Sequence, residues 1–179
     1  MAADATNKDD RNKEEGPEVR PPGRPLECPQ PHKLLAAVDE SRNSVRAVDY
    51  LSVWAACNEA VEVILVHVIK EPSTDVLPDQ DERDTYIRQK EEAAASLLSK
   101  MKERLEATGV PDTRIHTRTL SCSPPATVVE ALLEEKDRDE YDTIILGRRG
   151  MSKKEEYIFG SVTNRLVREM ADISVWVVA

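Results

Sequence analysis

Gly147, Gly150 and Gly160 fall within fourteen residues of a 179-residue chain that holds six glycines in all. Gly147 follows the apolar run Tyr141 to Leu146, which reads as a buried strand. Gly160-Ser161 leads into a helical stretch with Val162, Leu166 and Met170 on one face. Glycine admits positive φ and lets a ligand approach backbone N–H groups. The free N–H groups and the dipole at a helix start favour an anion, and Ser161 adds a hydroxyl donor. From Gly147 to Arg168 the sequence carries Arg148, Arg149, Lys153, Lys154, Arg165 and Arg168 against Glu155 and Glu156, a net of +4 in a chain of net −9. The chemistry this arrangement offers is local capture of an anion, with phosphate as the natural guest. The plainer alternative is a strand-ending glycine followed by a solvated charged face, since short glycine motifs have many chance matches.

Other chemistry is sparse. Asp39 closes the run Leu34 to Val38 and precedes Ser41 and Ser44. It can face a ligand at a strand's carboxyl end or stabilise the start of the following helix. His67 lies inside an apolar run and reads as a buried, hydrogen-bonded histidine; His116, between Arg114 and Arg118 on an alternating strand, reads as a surface residue. Cys28, Cys57 and Cys122 have no metal-ligand spacing and point to a reducing compartment, with Cys57 and Cys122 as packing residues. There is no Walker A sequence and no G-x-S-x-G elbow, and no general base is identifiable. No catalytic or metal-ligating set is expected, and the protein reads as a binding protein rather than an enzyme.

These residues need a scaffold, and the hydropathy pattern supplies it. From Lys33 onward short aliphatic runs alternate with helical stretches, which predicts an α/β domain with an open, five-stranded parallel sheet and helices on both faces. Val61 to Ile69 is apolar almost throughout, as a strand buried on both faces should be. Asp81 to Ala107 reads as a long helix with Leu97, Met101 and Leu105 as its seam, stopped by Gly109. Arg114 to Leu120 alternates, predicting an edge strand, and Pro124 or Pro125 is expected to open the next helix. Residues 1–32 hold six of eleven prolines and lack Ile, Phe, Trp and Tyr; they read as a disordered, polyproline-like extension ahead of a domain over 33–179. The pI near 5.0 and the 4% aromatic content oppose general attraction to nucleic acid or anionic membranes. With no apolar signal core or membrane span in the sequence, a cytoplasmic location is expected.

Gly147-x-x-Gly150, nine residues, then Gly160-Ser161 resembles the G-2x-G-9x-G-(S/T) signature of the ATP-binding branch of the universal stress protein family. The order of elements from Lys33 to Val178 is similar to that family's single domain. The resemblance implies a Rossmann-like sheet of strand order 3-2-1-4-5 that binds ATP with Mg2+ or Mn2+. It places Asp39 near the adenosine portion, the backbone of Val68 against the adenine, Gly147, Arg148 and Gly150 near ribose and phosphates, and Gly160, Ser161 and Val162 at the phosphate-binding helix start. It further implies a regulatory stress-response protein with at most slow ATP hydrolysis, forming a homodimer by antiparallel pairing of the edge strand Ile173 to Val178, with a further protein partner left open. Two departures stand out: Cys122-Ser123-Pro124 replaces a frequent Gly-x-Pro, where a positive φ would strain Cys122, and Arg148 replaces a frequent Ser or Thr. The alternative reading is a dimeric interaction module that binds no nucleotide. A related adenine-nucleotide hydrolase ranks last, because Val38-Asp39-Glu40-Ser41 carries no glycine.

Overall fold

A computed structural model describes residues 32–148, 161–170 and 172–179. The chain alternates strand and helix: β1 (His32–Ala37), α1 (Arg42–Ala56), β2 (Val61–Lys70), α2 (Gln80–Ala107), β3 (Ile115–Cys122), α3 (Val128–Arg138), β4 (Thr143–Gly147), α4 (Ser161–Glu169) and β5 (Ser174–Val178). The five strands form one sheet of order β3-β2-β1-β4-β5, every pair parallel. That is the order and class expected, with β3 and β5 at the edges.

Side-chain alternation divides the core in two. Leu34 and Ala36 of β1 and Val63 and Leu65 of β2 pack with α1 and α2, through Val48, Leu51, Leu98 and Leu105. Their neighbours Leu35, Ile64 and Val66 face the opposite way and pack with α3 and α4, through Val129, Leu132 and Leu166. A strand covered on both faces has no regular polar phase, so β2 reads as a nearly continuous apolar run.

Local chemistry sets the helix ends. Ser41 caps α1 by accepting the amide of Ser44, and Asp79 caps α2 through Glu82. Gly109, at φ 98°, ends α2 with its amide on the Glu106 carbonyl, in the left-handed conformation glycine adopts without penalty. The buried seam of α2 is Ala94, Leu98, Met101 and Leu105; the spacing of four, three and four follows the helical period, so Leu97 sits on its flank rather than in it. The expectation that Pro124 or Pro125 opens α3 is corrected. Thr127 starts it, with a reciprocal capping box to Glu130 that satisfies two orphan donors. Cys122 closes β3 in extended backbone, so the substitution at that position carries no left-handed strain. Burial pushes its thiol up, in keeping with a packing role, whereas Cys57 is exposed and packs nothing.

The far end of α3 is pinned by a charged network. Glu135 is 1% exposed; its carboxylate accepts from the Arg118 guanidinium of β3 and, at 2.7 Å, from the hydroxyl of Tyr141. Asp139 lies 3.6 Å from Arg118 and accepts from Lys33 of β1 at 2.6 Å. The Lys33 hydrogen bond holds the Asp139 carboxyl below its usual range. Burial, followed by the bond to Glu135, pushes the Tyr141 phenol up. A buried carboxylate without such partners would be costly. Here it fastens α3 to β3, β1 and the start of β4, fixing the helix whose other end lines the site.

Candidate functional site

In an open parallel sheet the crevice forms at the carboxyl ends of the strands, where the chain's winding changes direction. In this order that point lies between β1 and β4. A cleft of about 320 Å³ opens there, lined among others by Asp39, Ser44, His67, Val68, Gly147 and Val162. The volume is at the lower end of the range for small-molecule sites.

Unequal strand lengths build one wall. β1 ends at Ala37, which pairs with Val66, while β2 continues to Lys70. The Val38 amide donates to the Val66 carbonyl at 2.8 Å, so the peptide groups of Val66 face β1. Because strand residues alternate, those of Val68 face the same way, past the end of β1 and toward the cleft. The intervening His67 is half-buried, and its Nδ1–H donates to the Val38 carbonyl at 2.8 Å. The histidine is thus hydrogen-bonded as the sequence reading has it, and it also lines the cleft, which that reading does not anticipate.

Asp39 follows β1 and is half-buried. Its Oδ1 accepts from the Ser44 hydroxyl at 2.6 Å and the Ser41 amide at 3.0 Å, and its own amide donates to Ser44 Oγ at 3.0 Å. Stabilisation of the α1 start is therefore built into the structure, and the residue also lines the cleft. Gly147 closes β4 on the opposite side. A Cβ there would lie 2.4 Å from the Asn43 carbonyl carbon and 2.6 Å from the Ser44 nitrogen, so the first turn of α1 sits directly against this glycine. The reason for glycine at 147 is this close packing of backbone on backbone. Arg148 is exposed; its carbonyl accepts from the Asn43 side chain and its amide donates to Val178 at 2.6 Å.

The third wall is the start of α4 with that of α3. Val162 and Thr163, in the first turn of α4, line the cleft with Val128 and Leu132 of α3. Arg165, counted in the sequence among the cations of the glycine segment, is engaged elsewhere: it meets Glu130 at 3.1 Å and Glu169 at 2.7 Å. The Thr127 amide and then Arg165 hold the Glu130 carboxyl low. The residue ties α4 to the N-terminus of α3. Asp39, Val68, Gly147 and Val162 are brought together; Arg148 adjoins Gly147, Ser161 begins α4, and Gly150 and Gly160 lie outside the described residues. Lys70 and Thr163 line the cleft without having been singled out. The signal for Lys70 is parity, since it follows Val66 and Val68 on the same face of β2. Its ammonium makes no hydrogen bond or ion pair among the described residues.

An open, doubly wound sheet with a cleft at its switch point defines a Rossmann-like α/β protein. The sequence profile of the universal stress protein family matches residues 31–179, and the chain belongs to that family. Among solved structures, UspA from Lactobacillus plantarum is similar at TM-score 0.69 and 16% identity, over 84% of this chain and 99% of that one. The protein MJ0577 is similar at 0.65 and 23%, over 83% and 96%. A universal stress protein in complex with cAMP is similar at 0.57 and 22%, over 83% and 96%. At these identities the likeness concerns the fold. Among curated proteins none matches.

Proposed function

We propose that this universal stress protein is a regulatory protein of the ATP-binding branch, with residues 33–179 as its nucleotide-binding domain and at most slow hydrolysis. The observation that carries the reading is the joint convergence on one cleft of the Val68 peptide edge, Asp39 and the first turn of α4. An N–H donor and a C=O acceptor from one residue complement the N1 acceptor and N6 donor of adenine, and mismatch the reversed pattern of guanine. Asp39 then serves the ribose. The α4 N-terminus, with Gly150, Gly160 and Ser161, serves the phosphates. A nucleotide-bound relative of the same fold, the cAMP complex, supports the class of ligand. Among the described residues no three His, Cys, Asp or Glu side chains cluster as a metal site, so Mg2+ or Mn2+ would be held chiefly by phosphate oxygens. Bound there, the ion would neutralise phosphate charge.

Calorimetric titration with Mg-ATP tests this. Binding is expected at micromolar to low-millimolar concentration, weaker for GTP, and about tenfold weaker in Asp39→Ala, in keeping with loss of one hydrogen bond to a charged group. No binding at millimolar ATP would favour the second reading, a nucleotide-free interaction module. Two observations speak for that module: Asp39 has a helix-capping role and Gly147 a packing role. The proposed dimer uses the edge of β5, whose outer side pairs with no strand among the described residues and so invites another. Sedimentation should give a dimeric mass that reverts to monomer when residues 175–179 are removed; an unchanged dimer after that deletion would move the interface elsewhere. A cytoplasmic setting accords with the sequence, and no described helix is long and apolar enough to cross a membrane.

A further inference from the structure

Away from the cleft, the last two turns of α1 carry a cluster of aromatic rings. Tyr50 and Val53 are 58% and 63% exposed. Beside them, Trp176 of β5 receives Trp54 edge-on at a centroid distance of 5.3 Å and Tyr50 at 6.2 Å. Single exposed apolar residues need no explanation, but a contiguous aromatic face in a chain with 4% aromatic residues does. Trp54 and Trp176 are half-buried against the core, and crossed rings that reach the surface beside an exposed tyrosine form shallow slots that accept the flat, preorganised rings of a polyproline II segment.

The chain carries a proline-rich stretch of the composition that favours this conformation. Residues 17–31 contain Pro17, Pro21, Pro22, Pro25, Pro29 and Pro31, no aromatic residue, and two acidic and two basic side chains. Position favours it as well. The chain enters β1 at His32, whose amide donates to the Ala60 carbonyl at 2.7 Å, in the turn just beyond the C-terminal end of α1. Trp54 stands two residues before that end and Tyr50 six, about 3 and 9 Å along the axis. Fifteen residues of polyproline II span about 46 Å, ample to cover the cluster. Tethered so close, the segment has an effective concentration in the millimolar range, so even millimolar intrinsic affinity suffices for substantial occupancy.

We infer that the face formed by Tyr50, Val53, Trp54 and Trp176 is a docking site for proline-rich segments, and that its occupant is residues 17–31 of the same chain. The inference is independent of the nucleotide reading. Its test uses a convenience of the sequence: Trp54 and Trp176 are the only tryptophans, so tryptophan emission reports this face alone. The full chain is compared with the full chain carrying Pro21→Gly, Pro22→Gly and Pro25→Gly, which leave every residue from His32 onward unchanged. Expected are a red-shifted emission and stronger acrylamide quenching in the variant, with an unchanged melt and a difference between the two proteins that is the same at micromolar and nanomolar concentration. A synthetic peptide of residues 17–31 at millimolar concentration should restore protection. In a Tyr50→Ala background the proline changes should have a reduced effect. Identical quenching in wild type and variant would overturn the inference. So would a difference between the two that fades on dilution from micromolar to nanomolar protein, which would assign the face to a second copy.

Discussion

Gly147→Ala is expected to destabilise the ligand-free protein by about 1 to 3 kcal/mol, and Gly147→Val by more, as overpacked cores generally do. The added carbon would lie 2.4 to 2.6 Å from the backbone of Asn43 and Ser44, and backbone cannot rotate aside as a side chain can. The first turn of α1 would have to retreat from β4. That movement strains the 2.6 Å bond between Ser44 and Asp39 and the bond from Asn43 to the Arg148 carbonyl. Denaturant melts without nucleotide measure the effect. A melt indistinguishable from wild type would show that α1 has room to shift, leaving close ligand approach as the reason for this glycine.

Gly160→Val should act in the opposite way, lowering Mg-ATP affinity by about a hundredfold or more, equivalent to roughly 2.7 kcal/mol, with a small effect on the melt. The physical argument is that a β-branched side chain just before α4 occupies the approach of a phosphate oxygen to the free N–H groups. The helix itself is seated by Leu166 and Met170, both buried in the core under α3, and by buried Thr163. Ser161→Ala should be milder, about ten- to a hundredfold, the value of one hydrogen bond to a charged acceptor. Equal affinity for Mg-ATP in Gly160→Val and wild type would remove the phosphates from this end of the cleft. The two glycines thus separate in a paired measurement of stability and binding: Gly147 weighs on the first, Gly160 on the second.

The sheet was legible because strand environment leaves a direct mark on sequence. β2 is apolar over most of its length since both faces are covered, and β3 alternates since one is wet. The site was legible in its outline, because Asp39 and Gly147 stand at strand ends that must meet at a switch point. What escaped depended on contacts between residues distant in the chain. Glu135 sits in the run Glu134-Glu135-Lys136-Asp137-Arg138, which has the composition of a solvated face. Only the arrival of Arg118, seventeen residues upstream, and Tyr141 makes its burial tolerable. In the sequence Gly147 suggests a ligand's approach or a strand's end, whereas its nearest neighbour is a helix joined to it by no local pattern. Proline, the louder signal, draws the expected start of α3 to Pro124 or Pro125, although the Thr127–Glu130 box that sets it is present in the sequence.

The overhang of β2 beyond β1 has an evolutionary side. The wall it builds consists of main-chain groups, so it is specified by where two strands stop and by parity along one of them, not by the identity of residue 68. Any side chain that tolerates a strand leaves the Val68 donor and acceptor in place, while a one-residue insertion between Val66 and Val68 would turn them toward β3. Such a wall is robust to substitution and fragile to changes of length. Relatives can therefore drift to 16% identity without that drift, by itself, erasing the edge that faces the cleft.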